Sequence, residues 1–137
     1  MNGRYLLDTN IIIALFASDS AIVKRLDRAT EVFVPAVVLG ELYYGARKSA
    51  RIEANLSKID KLASTAAVLG CDAVTAAQYG IVKNALREKG RPIPENDIWI
   101  AAVAKQHNLT LVSRDEHKGV LNPADSLSGV GDLCVST

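Results

Sequence analysis

Tyr5-Leu6-Leu7-Asp8-Thr9-Asn10 is the stretch on which the fold turns. Three apolar residues stop at an acid and two further polar side chains, which reads as a short buried strand with Asp8 at its carboxyl end. Working outward, residues 11–17 are apolar but too few for periodicity to choose helix or strand. Asp19-Ser20 is a helix-capping signal, and Val23, Leu26 and Ala29 then fit one helix face. Residues 31–34 read as a second strand ending at Pro35, and Pro35 suits the first turn of a helix over about 36–48, which carries Glu41. Ile52, Leu56, Ile59 and Leu62, spaced four, three and three, predict an amphipathic helix. Residues 66–70 predict a third strand. Asp72 caps a helix that ends at Gly90. Residues 94–97 open another helix, with Asn108 as its stop. Residues 110–113 form a fourth strand ending at Arg114-Asp115, and 133–135 suggest a last short one.

Short apolar strands alternating with helices imply an α/β fold, a mostly parallel sheet of four or five strands with helices on both faces. The 137 residues make one domain, 1–137, with length enough for a single core. The 49% hydrophobic and 23% charged composition is that of a globular chain, not a disordered one. No apolar run reaches eighteen residues, and the first residues lack a secretory pattern, so the expectation is a cytoplasmic protein without a membrane span. A net charge of +1 gives no global nucleic-acid signature, so nucleic-acid binding would need local patches. Cys71 and Cys134 have no metal-ligand spacing, and the expectation is two buried, reduced thiols.

In such sheets ligands bind outside the carboxyl ends of the strands, near a switch in strand order. Asp8 and Asp115 each follow a strand and share that rim. Asp97 opens the helix feeding the fourth strand, and Glu41 lies about two turns into the helix after the second strand, so the topology brings four acids to one rim. Each acid has a plainer reading. Asp8 and Asp115 serve equally as turn residues, Asp97 complements a helix N-terminus, and Glu41 alone suits a solvated helix face. If the four converge, their repulsion is relieved by protonation or by a divalent cation. An all-oxygen set favours Mg²⁺, with Mn²⁺ able to substitute, a choice that matches phosphodiester cleavage.

Residues 7–10 (Leu-Asp-Thr-Asn), 35–42 (Pro-Ala-Val-Val-Leu-Gly-Glu-Leu), 94–102 (Pro-Glu-Asn-Asp-Ile-Trp-Ile-Ala-Ala) and 111–115 (Leu-Val-Ser-Arg-Asp) together resemble the PIN domain, most closely the VapC-like toxins of toxin–antitoxin pairs. The resemblance implies a Rossmann-like sheet and a Mg²⁺-dependent endoribonuclease, with Asp8, Glu41, Asp97 and Asp115 as catalytic and metal-binding acids. It further implies supporting hydrogen bonds from Thr9, Asn10 or Ser113, an RNA substrate, a homodimer, and a cognate antitoxin that covers the acidic groove. Two stretches depart from the family pattern. Lys118 stands where an aromatic residue often does, and 126–132 lack the usual acidic-Trp ending.

Among the remaining residues, His107 and His117 read as surface or loop positions, and Trp99, Tyr43 and Tyr44 as packing residues. Two basic groups, Arg47, Lys48 and Arg51 on one side and Lys83, Arg87, Lys89 and Arg91 on the other, are candidates to rim the pocket and hold RNA. A haloacid-dehalogenase-type phosphotransferase would need a second acid at position 10, where Asn10 stands, and a response-regulator receiver would need an early acidic pair. The rival of a different class is a catalytically weak PIN-like module that binds RNA or protein.

Overall fold

A computed structural model describes residues 3–114. The elements run β1 (Arg4–Leu7), α1 (Thr9–Phe16), α2 (Ser20–Leu26), β2 (Glu31–Pro35), α3 (Ala36–Arg47), α4 (Ile52–Thr65), β3 (Ala67–Leu69), α5 (Ala73–Glu88), α6 (Glu95–His107) and β4 (Thr110–Val112). The four strands form one sheet in the order β3-β2-β1-β4, with every pair parallel. The register sets Tyr5 beside Val32 on one side of β1 and beside Thr110 on the other.

Successive strand side chains point to opposite faces. Tyr5, Leu6 and Leu7 are nevertheless all buried, as are Thr110, Leu111 and Val112. Both faces at the centre of the sheet are therefore covered, as expected for a parallel sheet flanked by helices. Leu6, Leu111, Val34, Val38 and Ile100 are sealed from solvent, and burying each such side chain contributes about 1.5–3 kcal/mol. The α6 helix is buried on almost every side. Ile98 and residues 100–104 are all buried, because it packs against α5, α3 and β4 at once.

The undecided segment after Asp8 is a helix. Asp8 is its N-cap and its carbonyl accepts from Ile11 and Ile12 at 3.1 and 3.2 Å. Pro35 ends β2 and caps α3 instead of sitting within its first turn. The expected cap of α5 is a capping box: Thr75 N–H donates to Asp72 Oδ1 and Asp72 N–H to Thr75 Oγ1, each at 3.0 Å. Asn108 closes α6 in the left-handed conformation at φ 55°.

Two expectations on individual residues are overturned. Cys71 is exposed, because it lies in the connection from the edge strand β3 to the cap of α5, away from any core. Tyr44 is also exposed, because Val38, Leu39, Leu42 and Ala46 take the buried side of α3. Tyr43 does pack against the core, and its hydroxyl donates to Asp60 at 2.6 Å. Trp99 is half-buried and stacks on Tyr79 with ring centres 4.1 Å apart. His107, read as a surface or loop residue, is the half-buried last residue of α6. The suggested strand at 133–135, with Cys134, His117 and Lys118, lies outside the described residues. No described helix is long and apolar enough to cross a membrane.

Candidate active site

The chain enters the sheet in the middle at β1, moves outward through β2 and β3, and returns on the other side as β4. The reversal leaves a crevice at the carboxyl ends of β1 and β4, the place where parallel sheets bind ligands. Asp8 stands there, 1% exposed. Its N–H donates to the Val112 carbonyl at 3.1 Å, continuing the β1–β4 ladder one step past the strands.

Both oxygens of Asp8 have partners from this chain. Oδ1 accepts from Thr9 N–H at 2.7 Å, and Oδ2 accepts from the buried Ser113 hydroxyl at 2.7 Å. Thr9 then reaches a second acid, since its hydroxyl donates to Glu41 Oε1 at 2.6 Å. One residue thus ties the carboxylate at the end of β1 to the carboxylate on α3. Glu41 is half-buried rather than freely solvated.

Asn10 works on the other side of the crevice. Its Oδ1 accepts from the Arg114 backbone N–H at 3.2 Å. The Arg114 guanidinium pairs with Asp19, and with the Ile22 N–H it holds the Asp19 carboxyl below its ordinary value. The chain leaving β4 is therefore fixed by backbone and side chain together. Asp115, the next residue, lies outside the described residues.

Asp97 is the third residue of α6 and only 6% exposed. Its N–H donates to the Pro94 carbonyl at 3.1 Å. Because α6 leads back into the parallel strand β4, its first turn lies toward the carboxyl rim of the sheet. Asp8 and Glu41 are thus joined through Thr9, and Asp97 comes to the same rim by topology. Among the described residues, no group of three or more His, Cys, Asp or Glu side chains could by itself hold a metal ion. The described acids offer oxygen alone, which is the chemistry of a hard cation. Mg²⁺ is typically held by one or two carboxylates plus waters and phosphate oxygens, so these residues fit it without a closed protein cage.

Beside the acids lies a feature that the sequence alone does not reveal, a cavity of about 330 Å³ between α1, α3 and α4. Thr9 and Glu41 belong to its wall; Ile13, Phe16, Leu42 and Ile59 make it apolar, and Lys58 adds one cation. The steps Thr9, Ile13, Phe16 follow a helix face, but that signal is unreadable until residues 9–16 are known to be helical.

Residues 5–119 match the model of the PIN domain. This chain belongs to the PIN-domain family, on its VapC-like branch. Ribonuclease VapC2 of Haemophilus influenzae is 38% identical over 114 residues, spanning 82% of this chain and 86% of that protein. The tRNA(fMet)-specific endonuclease VapC of Shigella flexneri is 33% identical over the same shares of the two chains. Among solved structures, VapBC2 from Rickettsia felis bound to a promoter DNA fragment superposes with a TM-score of 0.74 at 32% identity, covering 81% of this chain and 86% of that one. DNA-bound VapBC from Salmonella typhimurium gives a TM-score of 0.78 at 29% identity, covering 88% and 92%. The four-stranded parallel sheet flanked by six helices is the architecture these PIN-domain relatives share.

Proposed function

We propose that this protein is a metal-dependent endoribonuclease that hydrolyses RNA phosphodiester bonds, the toxin of a toxin–antitoxin pair. The observation that carries the reading is the Ser113–Asp8–Thr9–Glu41 chain of hydrogen bonds at the switch point of the sheet. It holds two carboxylates from remote segments in fixed orientation before any substrate arrives, which is the preorganisation that charge-stabilising catalysis needs. The names of the VapC relatives as ribonuclease and endonuclease support the same activity.

Asp8, Glu41, Asp97 and Asp115 would hold the cation, Mg²⁺ or Mn²⁺. Bound there, such an ion lowers the pKa of a water and neutralises charge on the phosphate. The chain's own contribution is placement. Thr9 and Ser113 orient Asp8, Thr9 orients Glu41, and Asn10 fixes the backbone immediately before Asp115. We further infer a cognate antitoxin as partner, supported by the VapBC complexes among the structural relatives, and a homodimer as the assembly. The apolar cavity that shares Glu41 offers a bed for a segment of that partner.

The test is cleavage by the purified chain, freed of partner, of mixed RNA and of initiator transfer RNA. Cutting with Mg²⁺ or Mn²⁺, stopped by EDTA, is expected. Asp8→Ala and Asp97→Ala should abolish cutting while circular dichroism shows a folded protein. Binding of RNA without cutting in any metal would favour the binding-module reading instead.

A further inference from the structure

Beyond Glu41, the exposed side of α3 carries groups that the proposed reaction does not use. Glu41, Tyr44 and Lys48 follow one another at intervals of three and four, so they line one stripe of the helix. Tyr44 is 65% exposed. Lys48 Nζ lies over its ring, 4.4 Å from the centre. Gly45 has open space where a Cβ would stand and lines the cavity that begins at Glu41. An aromatic ring and a cation are thereby displayed within two turns of an acid of the candidate site.

Among the described residues, the cations around this ring in the sequence enter no ion pair. The ion pairs among the described residues engage Arg4, Lys83 and Arg114. None engages Arg47, Lys48 or Arg51, which are all exposed within five residues. In the second basic group Lys83 is committed to Glu95 at 3.2 Å and Arg87 donates to the neutral Asn84 Oδ1 at 3.0 Å, while Lys89 and Arg91, like Arg87, enter no ion pair among the described residues. What sets the end of α3 apart is the exposed Tyr44 ring among these three cations, Arg47, Lys48 and Arg51, on the same helix as Glu41 of the candidate site. An exposed ring flanked by such cations matches single-stranded nucleic acid, whose bases stack on aromatic rings while phosphates meet Lys and Arg.

We propose that Tyr44, Lys48, Arg47 and Arg51 form the surface that holds the RNA strand leading away from the Asp8–Glu41 site. Tyr44 stacks a base, and the three cations meet the phosphates on either side of it. This rests on the nuclease reading for the class of ligand, RNA, and on the α3 geometry for the place.

The experiment is fluorescence anisotropy with a labelled single-stranded RNA of about a dozen nucleotides. EDTA is present so that no cutting occurs, and salt is varied between about 50 and 200 mM. Tyr44→Leu should weaken binding about tenfold with little change in salt dependence, and Tyr44→Phe should bind as the native chain does. The combined variant Arg47→Gln, Lys48→Gln, Arg51→Gln should lower the slope of log affinity against log salt by about 2, at roughly 0.7 for each phosphate that is no longer neutralised. Native-like binding by Tyr44→Leu, an unchanged slope in the triple variant, or no binding by the native chain would each overturn the proposal. Normal RNA binding by all variants would assign this face to a protein partner. The nuclease reading fails separately, if the native chain binds RNA through this surface yet cuts nothing with Mn²⁺.

Discussion

Replacing Ser113 by alanine removes one buried hydroxyl from the site. That hydroxyl donates to Asp8 Oδ2 at 2.7 Å, and Asp8 itself is 1% exposed. Losing a hydrogen bond to a buried carboxylate costs about 1–3 kcal/mol, and the lost atom is too small to leave a cavity term of comparable size. With a urea slope of about 2 kcal/mol per molar for a domain of this size, the unfolding midpoint should fall by roughly 0.5–1.5 M. Trp99 is the only tryptophan and stacks on Tyr79, so its fluorescence, with far-ultraviolet circular dichroism, follows the transition. The decisive control is the same substitution in an Asp8→Ala background. With the acceptor gone, Ser113→Ala should cost less than about 0.5 kcal/mol, the usual margin for uncoupled sites. An equal cost in both backgrounds would refute the argument, because the loss would then come from packing around Ser113 and not from its bond to Asp8.

Thr9→Val keeps the backbone donor to Asp8 but removes the hydroxyl that holds Glu41. Cleavage or Mn²⁺ affinity should drop about 10- to 100-fold, with Thr9→Ser retaining both, as metal titration of the cleavage rate would show. The Thr75 N–H and hydroxyl hold the Asp72 carboxyl below its ordinary 3.8. The folded state therefore binds that proton less readily than the unfolded chain; the stabilisation is present above 3.8 and is lost as pH falls through the depressed value. Asp72→Asn keeps an oxygen to cap α5 but does not titrate, so its thermal midpoint should fall less steeply than the native one below about pH 4. Ile100→Ala, at a sealed position of α6, should cost about 2–5 kcal/mol in urea unfolding, against less than about 0.5 for a surface substitution such as Lys61→Ala.

Much of this arrangement is legible in the residues alone, where local chemistry decides the structure. Asp72 and Asp19 cap helices because a short carboxyl side chain can reach free N–H groups, and Asn108 ends one because it tolerates the left-handed region. Residues 9–16 resist such reading because an apolar octet suits either helix or strand. Only the neighbours of β1, already filled on both sides, leave helix as the solution. Asp8 can be placed from the end of a strand. Glu41 read by itself is a solvated residue, because its partner Thr9 is 32 positions away and no spacing rule connects them. Cys71 and Tyr44 mislead for a related reason. A residue type predicts average burial, whereas the side of a helix or the edge of a sheet decides the particular case.

Among the described strands β1, which Asp8 follows directly, precedes the others in the chain, yet its neighbour β4 comes more than a hundred residues later. During translation β1 has only β2 and β3 for company, and neither Asp97 nor Ser113 exists until α6 and the end of β4 have emerged. On the ribosome the rim therefore stays unfinished until β4 is made, and the described site residues are complete only once Ser113 has joined them.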